Sequence, residues 1–185
     1  MKKVTLYVFF ALVFFFLSVI QVSAWEGVVV KVMDGDSLKV RRDGKIVEVR
    51  LYGIDTPEYK QPYSNKAKQF TKKMTYNLPV SVTRKDVDRY GRVVALLTSR
   101  GKLVNRELVR EGLAWYYPRY CTTQPLCGEL DSLEQKARKL KKGLWRDKNP
   151  VSPWDWKRSQ GKKGSKSWSG RYYSLLDRWK YFLHL

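Results

Sequence analysis

Asp36, Arg50, Asp55, Glu58 and Arg92 are the side chains whose types and spacing could do chemistry together. Asp36 follows an apolar run, Arg50 and Asp55 flank LYGI, Glu58 closes DTPE, and Arg92 opens a later apolar run, so all fall at the ends of expected strands. Asp36 and Asp55, with the backbone carbonyl of Thr56, offer only oxygen donors, a set suited to Ca²⁺ or Mg²⁺. A phosphodiester is already anionic, so its hydrolysis needs charge neutralised at phosphorus and a base for the attacking water. Arg50 and Arg92 could donate forked hydrogen bonds to phosphate oxygens and to the extra charge of a five-coordinate transition state. Glu58 could take the proton from water, with a metal ion polarising the nucleophile. Singly, each has an ordinary role: DGD makes a turn, TPE starts a helix, and a lone arginine is solvated. Their conjunction carries the reading.

Composition narrows the alternatives. The single histidine, His184, is penultimate, so this chain offers no Ser-His-Asp triad, no histidine pair and no histidine-bound metal. The formal net charge is +20, of which Lys2 and Lys3 supply two, and the sequence pI is about 10.0. Such a field gathers polyanions: nucleic acid, anionic lipid or acidic glycan, the plainer alternative being a solubilising surface.

Lys2 and Lys3 precede VTLYVFFALVFFFLSVIQV, and Val22-Ser23-Ala24 supplies small residues for cleavage before Trp25. Residues 1–24 are therefore expected to be a signal peptide for export to the periplasm or outside the cell, with an uncleaved anchor over 4–22 as the alternative. Cys121 and Cys127 are the only cysteines. In an oxidising compartment they would pair, closing a small loop worth ~2 kcal/mol, with free thiols as the alternative.

The elements that must position these residues follow from pattern. GVVVKVM, SLKVRR and KIVEVRL read as three antiparallel strands, the second and third joined at Asp43-Gly44, and the chain continues extended through Asp55. Ala67, Phe70 and Met74 mark a helix over 64–76, stopped before Pro79. Strands over 80–86 and at VVALL follow, then helices over 103–111 and 128–141, the latter with Leu130, Leu133, Ala137 and Leu140 on one stripe. The expected class is α+β, mainly β: a five-stranded Greek-key barrel of the OB type with three helices, over residues 25–146.

Beyond it, residues 147–170 read as a flexible basic linker. Tyr172, Leu175, Leu176, Trp179, Phe182 and Leu183 then mark an amphipathic helix over 171–185, to dock on the domain or to contact a membrane surface or partner.

In their order and spacing MDGDSLKV, VRLYGIDTPE, DRYGR and NRELVREGLA resemble the staphylococcal nuclease (thermonuclease) family over roughly residues 26 to 145. The resemblance implies one Ca²⁺ bound by Asp36, Asp55 and the Thr56 carbonyl, with Arg50, Glu58 and Arg92 catalytic. It implies hydrolysis of DNA and RNA with little sequence preference, leaving 3′-phosphates, by an OB barrel that is expected to work as a monomer. Arg89 and Tyr90 match nucleotide contacts of that family, and Tyr120 does so through the altered context WYYPRY. For Tyr90 and Tyr120, base stacking and packing against the barrel mouth stay open. The segment between Glu58 and Phe70 is shorter than the corresponding loop of the family's secreted namesake, which bears on how Glu58 is held. A non-catalytic barrel that binds nucleic acid or protein is the alternative, distinguished by loss of the charged set, which is intact here.

Overall fold

The computed structural model describes residues 24–166, with side chains to residue 160. The expected signal or anchor segment, up to residue 23, and the amphipathic helix over 171–185 lie outside the described residues. No described helix is long and apolar enough to cross a membrane.

Three strands, β1 (Ala24–Val32), β2 (Ser37–Arg42) and β3 (Lys45–Leu51), form an antiparallel meander. Asp43 and Gly44 both take positive φ, the paired left-handed conformation that fits a two-residue hairpin to the strand twist. Gly53, at φ 73°, then turns the chain, and a Cβ there would sit 2.8 Å from Cys121 Sγ. The extended run expected through Asp55 is therefore broken after Leu51 and resumes as β4 (Ile54–Asp55) on a separate two-stranded sheet.

Helix α1 (Ser64–Thr75) buries Ala67, Thr71 and Thr75, with Phe70 and Met74 packed alongside. The chain then adds β5 (Pro79–Val87), β6 (Val93–Ser99) and the short β7 (Lys102–Leu103). Strand β5 pairs antiparallel with β1 and β6, and β6 closes parallel onto β3 at Val49↔Val93, Arg50↔Val94 and Leu51↔Ala95. Strands β1, β2, β3, β5 and β6 thus make a closed mixed barrel with no free edge at that seam. Its interior is filled by Val29, Leu38, Val40, Val49, Leu51, Val80, Val82, Ala95 and Leu97.

Helix α2 (Val104–Arg110) closes one side, β8 (Trp115–Tyr116) pairs with β4, and α3 (Leu126–Lys139) packs on α2. Helix α3 starts two residues before the expected 128, because Leu126 and Cys127 are themselves buried. Leu140, placed on its apolar stripe by sequence, is 56% exposed just past its end. Cys121 and Cys127 are disulfide-bonded.

The largest difference lies in the expected linker. Part of 147–170 is helix α4 (Pro153–Lys166), making four helices among the described residues where three were expected. Ser152 caps it reciprocally: its hydroxyl donates to Asp155 Oδ2 at 2.5 Å and accepts from Asp155 N at 3.3 Å. Trp154 stacks parallel on Tyr117, centroids 4.9 Å apart, and meets Trp115 edge-on at 5.7 Å. Two capping bonds and an aromatic clamp order a stretch whose composition alone would leave it loose.

Asn105 knits the barrel to α2. Fully buried, it accepts from Leu97 N at 3.1 Å and donates to Tyr52 O at 2.9 Å, joining β6 to the turn after β3. Asn105→Ala should leave both backbone groups unsatisfied and cost roughly 2 to 4 kcal/mol. Urea unfolding that reports less than 1 kcal/mol of loss would contradict this role.

Candidate active site

Asp36 is placed by the turn between β1 and β2. Asp34 Oδ1 accepts from Asp36 N at 3.0 Å and Ser37 N at 2.7 Å, an Asx arrangement that bends the chain. Gly35 is needed there for close approach: a Cβ would lie 2.8 Å from both Ala67 Cβ and Thr56 Cβ. Its carbonyl accepts from Thr71 Oγ1 at 2.5 Å, which ties this turn to α1. Asp36 Oδ2 then accepts from Thr56 N at 2.6 Å and Thr56 Oγ1 at 2.8 Å.

Arg50 comes from the end of β3, opposite Ser37 of β2 and Val94 of β6. Its two terminal nitrogens donate one to Asp36 Oδ1 and the other to Asp55 Oδ1. Asp55 is fixed by its β4 pairing opposite Trp115 of β8. Asp36 is 0% and Asp55 2% exposed, so two carboxylates share one guanidinium out of water. Burial works against the Arg50 cation, but Asp36 and Asp55 outweigh it and raise its pKa further.

Burial pushes the Asp36 carboxyl well above its ordinary value; Arg50 draws it down, while Asp34 and Asp55 push it up again. Three carboxylates acting on one guanidinium, with oxygen donors throughout, are a setting that a hard divalent cation fits. Among the described residues no three His, Cys, Asp or Glu side chains form a ready-made cage. An ion here would be held by Asp36 and Asp55, completed by backbone carbonyl and water.

Arg92 stands on the neighbouring strand. Asp88 Oδ1 accepts from Tyr90 N at 2.9 Å and Arg92 N at 3.0 Å, and Asp88 Oδ2 from Arg92 Nε at 2.7 Å. One carboxylate thus shapes the DRYGR turn and aims the guanidinium. Nε being engaged, the outer nitrogens are left to face the site, where Nη1 comes within 3.4 Å of Ser37 Oγ. That hydroxyl lies 3.3 Å from Asp36 Oδ1, so Ser37 links Arg92 to the carboxylate pair.

Glu58 is held by a different set of contacts. Its backbone N–H donates to Gln61 Oε1 at 2.8 Å, and Gln61 Nε2 donates to Val151 O at 2.7 Å. Its carboxylate receives Lys157 of α4 at 2.7 Å. Burial would lower the Lys157 pKa, but the hydrogen bond it donates to Glu58 and the charges of Asp55 and Glu58 outweigh it and raise it.

Of the expected nucleotide contacts, Tyr90 is 69% exposed, with the Arg89 and Arg92 guanidinium carbons 4.9 and 5.6 Å from its ring centroid. Tyr120 is exposed and meets Tyr117 edge-on at 5.0 Å. The structure thus brings Asp36, Arg50, Asp55 and Thr56 into direct contact, sets Arg92 beside them with Tyr90, and brings Glu58 to the edge on the side of α4. Sequence reasoning missed Ser37, Gln61, Asp88, Tyr117, Trp154 and Lys157. Asp88 had a signal, as the first residue of the DRYGR turn; Lys157 had none, since it lies 99 positions after Glu58.

Comparison with known proteins agrees with this geometry. The family described as "Staphylococcal nuclease homologue" matches residues 48–147. An uncharacterized endonuclease of Escherichia coli is 41% identical over 133 residues, covering 71% of this chain and 84% of its own length. A micrococcal nuclease of Shigella flexneri is 34% identical over 153 residues, covering 76% of this chain and 87% of its own. An uncharacterized endonuclease of Haemophilus influenzae is 35% identical over 133 residues, covering 71% and 72%.

The Asp88 carboxyl is held below its usual value: burial alone would raise it, but the bonds from Arg92 and Tyr90 outweigh that. Its stabilisation is therefore present above the unfolded value of about 3.9 and is lost as pH falls through the lower folded value. Asp88→Asn should cost about 1 to 2 kcal/mol at neutral pH and flatten the acid limb of the stability profile between pH 5 and 2. Thermal unfolding across that range checks it, and an unchanged acid limb would refute it.

Proposed function

The chain belongs to the staphylococcal nuclease family and is a hydrolase of nucleic-acid phosphodiester bonds, and from that premise we propose that it is an exported, Ca²⁺-dependent nuclease. In this reading it cleaves DNA and RNA with little sequence preference, leaves 3′-phosphates and acts as a monomer. The observation that carries it is the approach of Arg92 to the Asp36–Arg50–Asp55 cluster through Ser37, two guanidiniums beside an acidic oxygen pocket. Export is supported by the apolar segment after Lys2 and Lys3 and by the Cys121–Cys127 bond, a pairing suited to an oxidising compartment. An anchor over 4–22 would put the same domain outside the membrane.

Asp36, Asp55 and the Thr56 carbonyl would hold the ion, which when bound neutralises phosphate charge and acidifies water. The outer nitrogens of Arg92 take phosphate oxygens in a fork and stabilise the charge that grows as phosphorus becomes five-coordinate. Arg50 holds the two aspartates at a fixed separation and presents the second positive charge to the same phosphate. Glu58 accepts the proton of the attacking water. Tyr90, between two guanidiniums at the rim, offers a face to an unstacked base.

Digestion of plasmid, single-stranded DNA and RNA with Ca²⁺, Mg²⁺ or chelator tests the reading. Cleavage with Ca²⁺ and its loss in chelator are expected; undiminished cleavage in chelator would remove the metal from the mechanism. Oligonucleotide binding without cleavage under any ion would favour the non-catalytic barrel. Arg92→Ala and Arg50→Lys, the latter keeping charge but losing the fork, should each lower kcat by ~10² to 10³. Wild-type rates in both would overturn their assignment.

A further inference from the structure

Helix α4 lies beyond the span that matches the family, residues 48–147. Yet it meets the loop of the base, Glu58. The aromatic stack of Trp154 on Tyr117 and the Gln61 bond to Val151 O hold its start against the domain, and Lys157 stands one turn into it. These contacts dock α4 without needing Lys157, whose amine instead reaches Glu58 at 2.7 Å. The groups acting on that amine are Glu58 and Asp55, which favour its charge, and Arg50, which opposes it; Tyr117 feels it in turn.

A structural salt bridge explains this poorly. The Lys157 side chain is 56% and that of Glu58 31% exposed, and a pair so open to water is weak and easily exchanged. A lysine is a flexible stem with three donors, able to swing from a carboxylate to a nearby phosphate oxygen. A nucleic-acid strand held at Arg50 and Arg92 has phosphates on both sides of the scissile one, and Lys157, beside Glu58, is a cation placed to meet one of them.

We infer that Lys157 is a substrate-binding residue: it leaves Glu58 for a backbone phosphate next to the scissile one. Helix α4 is then a wall of the substrate groove. The inference rests on the nuclease reading, and binding separates the two: a chain that holds oligonucleotide but never cuts would sink that reading while still deciding the role of Lys157.

The test compares the full chain with Lys157→Gln and Lys157→Arg. Steady-state cleavage of a single-stranded oligonucleotide is measured with Ca²⁺, and Kd for it in chelator from low to moderate salt. Lys157→Gln should raise KM and Kd about tenfold, the scale of one charged hydrogen bond, with kcat within twofold of wild type. The slope of log Kd against log salt should fall by about 0.7, one phosphate contact on a single strand. Lys157→Arg should restore both. Wild-type KM, Kd and salt slope in Lys157→Gln would overturn the inference, leaving a merely structural pair. So would a fall in kcat with KM unchanged, which would make Lys157 a positioning group for Glu58 alone.

Discussion

Two buried carboxylates sharing one guanidinium are the constraint around which the rest of the molecule is arranged. Asp36 and Asp55 are almost wholly out of water, and Arg50 between them donates to both. Such a cluster is costly to desolvate and is held together by geometry rather than by a net gain in stability. The geometry has three sources: the Asp34–Gly35 turn, the β3–β6 seam that carries Arg50, and the β4–β8 ladder that carries Asp55. Leu51 N donating to Asp36 O at 2.8 Å locks the first of these to the second. A loose barrel could not hold three charges at hydrogen-bonding distance; a closed one, with its strand ends in fixed register, can.

The closure also explains why residues far apart in sequence meet. Arg50 faces Val94 across the parallel seam, so the turn just before β6 must bring Arg92 near the start of β2, where Ser37 stands. Asp88 converts that placement into an orientation by engaging Nε and leaving the outer nitrogens for a ligand. The meander and the returning pair β5–β6 thus make the frame, and two short turns, DGD and DRYGR, aim the chemistry from it.

Much of this was legible in the sequence because it is local or periodic. Alternation in SLKVRR and KIVEVRL and the Asp43-Gly44 turn expose the hairpin, and the charged residues at strand ends expose the site. Contacts that bridge distant segments were not legible. Asn105 sits inside a quoted motif, yet only the fold reveals that its amide joins Leu97 N to Tyr52 O. The stretch 147–170 looked like a linker because its glycines and serines weaken any helical signal and it carries few aliphatic residues. What orders α4 is a tryptophan finding a tyrosine 37 positions earlier and a serine capping its first turn. The reach of Lys157 to Glu58 follows from that docking.

A chain of formal charge +20 that buries acids at its reactive centre faces opposing requirements. Buried aspartates repel the phosphates of a nucleic-acid substrate, so attraction must come from elsewhere. Arg89 and Arg92 on the DRYGR turn, Arg119 beside Tyr120 and Lys157 on α4 supply positive charge from three separate segments. A polyanion approaching any of them is drawn toward the centre by the others, since several cations sum over distances that no single pair commands. In the proposed function, encounter belongs to the rim and bond breaking to the interior. The buried cluster keeps its oxygen donors in the interior, while the surface around it supplies the positive charge.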